Sequence, residues 1–190
     1  SWLRKPVEER YQIANGKLRM YGSAEGLNEL KNSPSFVGFR QEDFDFQAET
    51  CVKLGNASNG DKAGMTVYMD YNGHYDVYVA KKGGKWVVGT NYTFGPVNHV
   101  EEVTVNSSKV WLRLTGNRSQ YMLWYSTDGK EFKEVGKADA RFISTETLGN
   151  FTGIMLGLWA QSPSVKGYAD FEYYEYKQVE PQWPRRRRPQ

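Results

Sequence analysis

Apolar and polar residues alternate with a period of two along most of this chain, in short runs cut off by clusters of Gly, Asn and Asp. The pattern is plain in "FDFQAETCVKL" (44–54), "HYDVYVAKK" (74–82), "KVWLRLTG" (109–116) and "QYMLWYST" (120–127). Successive side chains of a strand point to opposite faces, so this period suits half-buried strands and no helix. The same reading of 17–22, 35–41, 64–70, 85–93, 99–105, 152–160 and 168–178 predicts about eleven strands. The joints carry hairpin chemistry: Asn72-Gly73, Gly83-Gly84 and Asp128-Gly129 accept the positive φ angles of tight two-residue turns. Only "SAEGLNEL" and "ARFISTET" could hold a short helical turn.

Many strands, tight turns and almost no helix predict an all-β fold, a β-sandwich of two packed antiparallel sheets. Val110, Leu112 and Leu114, with Met122 and Trp124, are expected to supply layers of its inner faces. Aromatic residues make up 15% of the chain, which favours strands over helices. At 190 residues it is read as one domain. Residues 1–15 read as a linker leading in, 16–178 as the sandwich, and 179–190, "VEPQWPRRRRPQ", as a Pro/Arg-rich mobile arm that cannot extend a ladder. The opening "SWLRKP", without an initiator Met, is read as the start of a processed product or of an excised segment.

Charge removes one class of partner. The net charge of +3 includes four arginines in the run Arg185 to Arg188, and without them 21 basic residues face 22 acidic ones, a net −1. The basic pI therefore belongs to a tail, and a nucleic-acid surface is not expected. The run itself reads as a solvated end, with an acidic binding surface as the alternative. No apolar run approaches the roughly 20 residues that span a bilayer, so no membrane partner is expected and the protein is read as soluble, its compartment open. Five sequons, at Asn56, Asn91, Asn106, Asn117 and Asn150, are read as unmodified loop sequence.

Chemistry is sparse. Cys51, the single cysteine, excludes an internal disulfide and a cysteine-built zinc site, and is read as a buried thiol. His74 and His99 have no G-x-S-x-G elbow or orienting carboxylate in view, and read as surface or strand histidines. No cofactor and no metal are expected, with a structural calcium in the loop "GNASNGD" as the option left open. In "ADFEYYEY", Asp170 and Glu172 share a strand face and form the weak alternative acid pair of a sandwich glycosidase. Tyr68, Tyr71, Tyr75, Tyr78, Trp86, Tyr92 and Phe94 fall in consecutive hairpins, where rings either stack on sugars or fill the core. Finally, "TLGNFTGIML" sets Phe151 between Gly149 and Gly153: a ring on such a loop either folds into the core or aims at something outside.

Taken in order, "KLRMYGSAEGLNELKNSPSFVGFRQEDFDFQAET", "AGMTVYMDYNGHYDVYV", "YSTDGKEFKEVGKADARFISTETLGNFTGIMLGLWA" and "ADFEYYEY" closely resemble the C-terminal concanavalin A-like domain of β-xylosidases in glycoside hydrolase family 43, from about Trp2 to Tyr176. The resemblance implies a concanavalin A-like jelly roll. It also implies a noncatalytic accessory domain of a xylan-degrading exo-glycosidase of β-xylosidase or α-L-arabinofuranosidase type. Its partners would then be a catalytic β-propeller, absent from this chain, and a xylo- or arabino-oligosaccharide. The loop matching "GNFTG" would lend Phe151, flanked by Asn150 and Thr152, to the propeller's sugar pocket. The compartment would be a bacterial cytoplasm, a periplasm or the exterior. The competing readings are a stand-alone carbohydrate-binding module and an independent sandwich glycosidase.

Overall fold

The structure, a computed structural model, describes residues 10–29, 34–142 and 153–180. Among these residues thirteen strands form two sheets. The seven-stranded sheet runs β1 (Tyr11–Ala14), β2 (Lys17–Tyr21), β13 (Tyr168–Gln178), β4 (Phe46–Gly55), β9 (Lys109–Gly116), β10 (Gln120–Ser126), β11 (Lys133–Asp139). The six-stranded sheet runs β3 (Ser35–Arg40), β12 (Met155–Gln161), β5 (Lys62–Asp70), β6 (Gly73–Lys82), β7 (Lys85–Phe94), β8 (Val97–Val105). Neighbouring strands pair antiparallel throughout. One 3₁₀ turn, Ala140–Phe142, falls inside "ARFISTET". No helix among the described residues is long and apolar enough to cross a membrane.

The two strands beyond the expected eleven are β1 and β11, the two edges of the seven-stranded sheet. Neither alternates clearly, because an edge strand has little core to face: β1 leaves Ile13 82% exposed, and β11 buries none of its residues fully. The sheet thus begins at Tyr11, upstream of the expected boundary at residue 16, and its last rung is the Val179 N–H on the Asp45 carbonyl at 3.1 Å.

The core lies between the sheets. Val52, Leu112, Leu114 and Leu123 of one meet Met65, Val67, Val77, Val88 and Leu156 of the other, all fully buried. On the order of 1.5–3 kcal/mol for each such side chain makes this interface the main source of stability. Val110, Leu112 and Leu114 point inward as expected. Met122 and Trp124 do not: Leu123 pairs across from Leu114 and Tyr121 from Gly116, so the inward positions of β10 are 121 and 123, and 122 and 124 face out. Alternation reveals that a strand has two faces, but the register decides which is inner.

The hairpins follow a similar rule. Gly83 and Gly84 both take positive φ (57° and 75°), as do Asn15 and Gly16 (53° and 76°), which is the backbone of a two-residue turn between twisted strands. Asn72-Gly73 does not form such a turn. A register shift between Tyr68 and Asp70 places Gly73 opposite Asp70 in the ladder, and the Asp70 carboxylate accepts the Asn72 N–H at 2.7 Å, so Tyr71 and Asn72 make the turn.

On the outer face of the six-stranded sheet, Phe36, Trp159, Gly64, Tyr78 and Gly89 stand in one cross-strand row. A side chain on Gly64 would meet the Val77 carbonyl and the Tyr78 backbone, neither of which can swing aside. Gly64→Ala is expected to cost about 1–3 kcal/mol, a fall of several degrees in melting temperature. An unchanged thermal transition would show that the row tolerates a methyl group.

Candidate functional site

One end of the sandwich gathers the turn at Tyr71 and Asn72, the Gly95-Pro96 loop, the start of β4, the β9–β10 turn and the two ends of segment 143–152, which leaves from Phe142 and returns at Gly153. Asn150, Phe151 and Thr152 belong to that segment and lie outside the described residues. Its borders are informative. Phe94 and Phe142 stack with centroids 5.3 Å apart and planes 13° from parallel, yet are 37% and 59% exposed. Between the sheets beneath them opens a cleft of about 780 Å³, with Tyr75 and Tyr92 in its wall, 5.9 Å apart. The Tyr75 hydroxyl donates to the Asp139 carbonyl at 2.8 Å, which ties the 3₁₀ turn to the opposite sheet. Burial pushes both tyrosine pKa values up, so both hydroxyls stay protonated, beside the charged Glu101, Glu134, Lys137 and Asp139 that also line the cleft. Arg141 grips the Asp139 carboxylate at 2.8 Å, and these hydrogen bonds hold that carboxyl below its usual range.

Large apolar side chains concentrate at this end. Phe39, Met69, Phe94, Val97 and Phe142 are among the nine large hydrophobics left exposed in the described residues. A polar loop cluster would serve a sandwich standing alone; rings held open to water suit a surface that another body covers.

The acid pair is arranged differently from a glycosidase dyad. Asp170 accepts two hydrogen bonds from Arg19, at 2.8 and 3.0 Å, across β2 and β13. Glu172 accepts from Lys109 at 2.9 Å with Lys17 at 4.0 Å, and the Lys109 contact lowers its pKa. A general acid needs a raised pKa, and Glu172 has the reverse. These are ion pairs across the outer face of the seven-stranded sheet, each member a quarter or more exposed, and of small energy. Beneath them sits Cys51, fully buried, its thiol pushed up to about 12 by burial first and the Glu172 charge second.

Sequence reasoning missed the polar centre of the other sheet. His74 is completely buried, with Nδ1 2.9 Å from both oxygens of Asp76. The same carboxylate accepts from Thr66 Oγ1 at 2.6 Å and from Asn91 Nδ2 at 2.9 Å, and the network continues through Thr93 to Asn98 and Asn28. Among the described residues His74 Nε2 has no hydrogen-bond partner. The signal was the pair His-x-Asp, which alternation puts on one face, but the cross-strand partners Thr66 and Asn91 come only with register. Asn91, one of the five sequons, is spent on this network and buried. His99 is by contrast exposed, 3.3 Å from Glu101. Most hairpin rings fill interior space: Tyr75 and Tyr92 face the core, and Tyr68 and Tyr78 join Phe36 and Trp159 in a second cluster on the outer face.

In "GNASNGD" the buried Asp61 carboxylate accepts from the Ser58 N–H at 3.1 Å and the Ser162 hydroxyl at 2.8 Å. No group of three His, Cys, Asp or Glu among the described residues could hold a metal ion.

Residues 1–177 match the family model described as the β-xylosidase C-terminal concanavalin A-like domain. The non-reducing-end α-L-arabinofuranosidase BoGH43B of Bacteroides ovatus is 25% identical over 93% of this chain, which spans 34% of that protein. A xylan 1,3-β-xylosidase of a Vibrio species is 29% identical over 93% of the chain, spanning 35% of its length. The solved structure titled Bacteroides ovatus xyloglucan PUL GH43B superposes with a TM-score of 0.82 at 25% identity, over 94% of this chain and 36% of that one. The chain therefore spans about a third of the length of the relatives it matches.

Two outcomes test these local assignments. Asp76→Ala leaves His74 and Asn91 buried without their acceptor and is expected to cost about 3 kcal/mol or more in urea unfolding; a loss under about 1 kcal/mol would contradict the network's role. Because its pKa is raised, the Cys51 thiol stays protonated at pH 8, so a disulfide reagent should label the native chain negligibly and label one thiol per chain in guanidinium. Rapid labelling of the native chain would contradict its burial.

Proposed function

Because the chain belongs to the C-terminal concanavalin A-like domain family of β-xylosidases, we propose that it is the noncatalytic accessory part of a xylosidase- or arabinofuranosidase-type glycoside hydrolase. The observation that carries this reading is the open Phe94–Phe142 stack over its cleft, at the mouth of segment 143–152. A catalytic β-propeller covers these rings, and the covering is what they lack in this chain. In that assembly Phe151 closes the propeller's sugar pocket. Its ring shapes the pocket for a terminal pentose and excludes water, while Asn150 and Thr152 flank it. The acids and bases of hydrolysis belong to the propeller, in keeping with the ion pairing of Asp170 and Glu172.

The interface has a physical rationale. Docking removes two exposed aromatic rings and neighbouring aliphatics from water, and interfaces between domains of one chain commonly bury about 600–1,500 Å².

The test is complementation. The 190-residue chain alone should not turn over an aryl xyloside or arabinofuranoside, and mixing it with the propeller of its parent should restore activity. Phe151→Ala in the reconstituted pair should lower kcat/KM by about tenfold or more, a loss of about 1.4 kcal/mol, with the fold intact. Efficient hydrolysis by the chain alone, or full activity of the Phe151→Ala pair, would overturn the proposal.

A further inference from the structure

From the β9–β10 turn and the start of β4, a groove of about 480 Å³ extends over the outer face of the seven-stranded sheet, across β4, β9 and β10, without including Phe94 or Phe142. Two cross-strand rows build it: Gln47, Thr115 and Met122 in one, Glu49, Arg113 and Trp124 in the next. The outward turn of Met122 and Trp124, which the register imposes, is what creates it. Its walls are fixed before any ligand arrives. Trp124 Nε1 donates to Thr115 Oγ1 at 2.9 Å and so tethers the indole at its one polar atom. Arg113 is held by Glu49 at 2.7 and 2.9 Å and lies 3.6 Å over the Phe132 ring, and the Tyr173 hydroxyl secures the other Glu49 oxygen at 2.6 Å. Preorganised groups lose little entropy on binding.

What is left over defines the ligand. Thr115 accepts the indole N–H and keeps its own proton to donate. Glu49 takes only Nε and Nη2 of Arg113, which leaves further guanidinium N–H groups able to donate. The Asn117 carbonyl oxygen is taken by the Ser119 and Gln120 N–H groups, which leaves its NH₂ to donate, and the Gln47 amide has no partner among the described residues. Because Glu49 neutralises Arg113, and Asp45 stands at the rim, the groove does not call for an anion. It lies on interior strands whose backbone groups are already paired, so it offers an extended peptide no ladder to join. An indole face beside planar donors suits a neutral ring with one apolar face and a belt of hydroxyls. C–H groups of that face contact the indole, and the hydroxyls meet amide and guanidinium.

We propose that this groove is a carbohydrate-binding subsite for a neutral pyranose chain of xylan type, with Trp124 as its platform and Gln47, Arg113, Thr115 and Asn117 as its polar contacts. The choice of xylan among pyranose chains rests on the proposed parent enzyme; the neutral, one-faced chemistry of the ligand rests on the groove. It differs from the sugar contact assigned to Phe151, because it sits on the sheet face and needs no propeller.

Titration of the 190-residue chain with xylohexaose, followed by calorimetry and by indole fluorescence, tests it. Saturable binding is expected, weakened about tenfold or more in Trp124→Ala, a change of about 1.4 kcal/mol in affinity. Gln47→Ala, a surface change that spares the ring and the fold, should weaken it several-fold. Phe142→Ala, which strips the docking end, should leave it unchanged while impairing assembly with the propeller, so the two proposals fail separately. No saturable signal by about 10 mM sugar, undiminished affinity in both groove variants, or loss of binding in Phe142→Ala would each overturn the subsite.

Discussion

Face-to-face burial of two sheets governs everything else in this molecule. Inward side chains such as Leu112 and Met65 must be apolar and close-packed, and each interior strand must spend its backbone groups on lateral neighbours. What remains free to vary is the outer faces, the edges and the ends, and the chemistry of the chain is found in all three. The edges are blunted: β8 carries Glu101, Glu102 and His99 along an exposed strand, and β11 carries Lys133, Glu134 and Lys137, charges that discourage another strand from adding on.

The two outer faces meet water in opposite ways. On the seven-stranded sheet, ion pairs such as Arg19–Asp170 and Arg113–Glu49 lie partly exposed, beside rings that also face out. On the six-stranded sheet, a histidine and an asparagine are buried together on the two oxygens of one aspartate. Such a network brings little net stability when complete, yet is costly to break, so it acts to pin the register of β5, β6 and β7 more than to strengthen them. Leu27 and Asn28 add to its cover, the first in the apolar cluster and the second on Thr93.

The end that bears Phe94 and Phe142 follows another logic. Loops at the ends of a sandwich escape the packing constraint of the sheets, so they can present rings that the core does not require. Placing apolar surface there is unfavourable for an isolated chain and favourable for an assembled one. This asymmetry links the geometry of the cleft to membership in a family whose relatives are about three times as long.

Much of this was legible in the residues. Period-two alternation and paired turn residues such as Gly83-Gly84 announced an antiparallel sandwich, because strand periodicity and turn backbone are local properties. The buried Cys51, the inward Val110, Leu112 and Leu114 and the short turn at Ala140–Phe142 were readable for the same reason. Register was not. It depends on which strand lies alongside, and it alone turned Trp124 and Met122 outward, gave Gly73 to a ladder, and brought Thr66 and Asn91 to the carboxylate beside His74. The sequence by itself determined that strands would form and where the chain would turn; only tertiary structure decided which faces would meet, because a one-residue slip in pairing exchanges the inner and outer side of a whole strand.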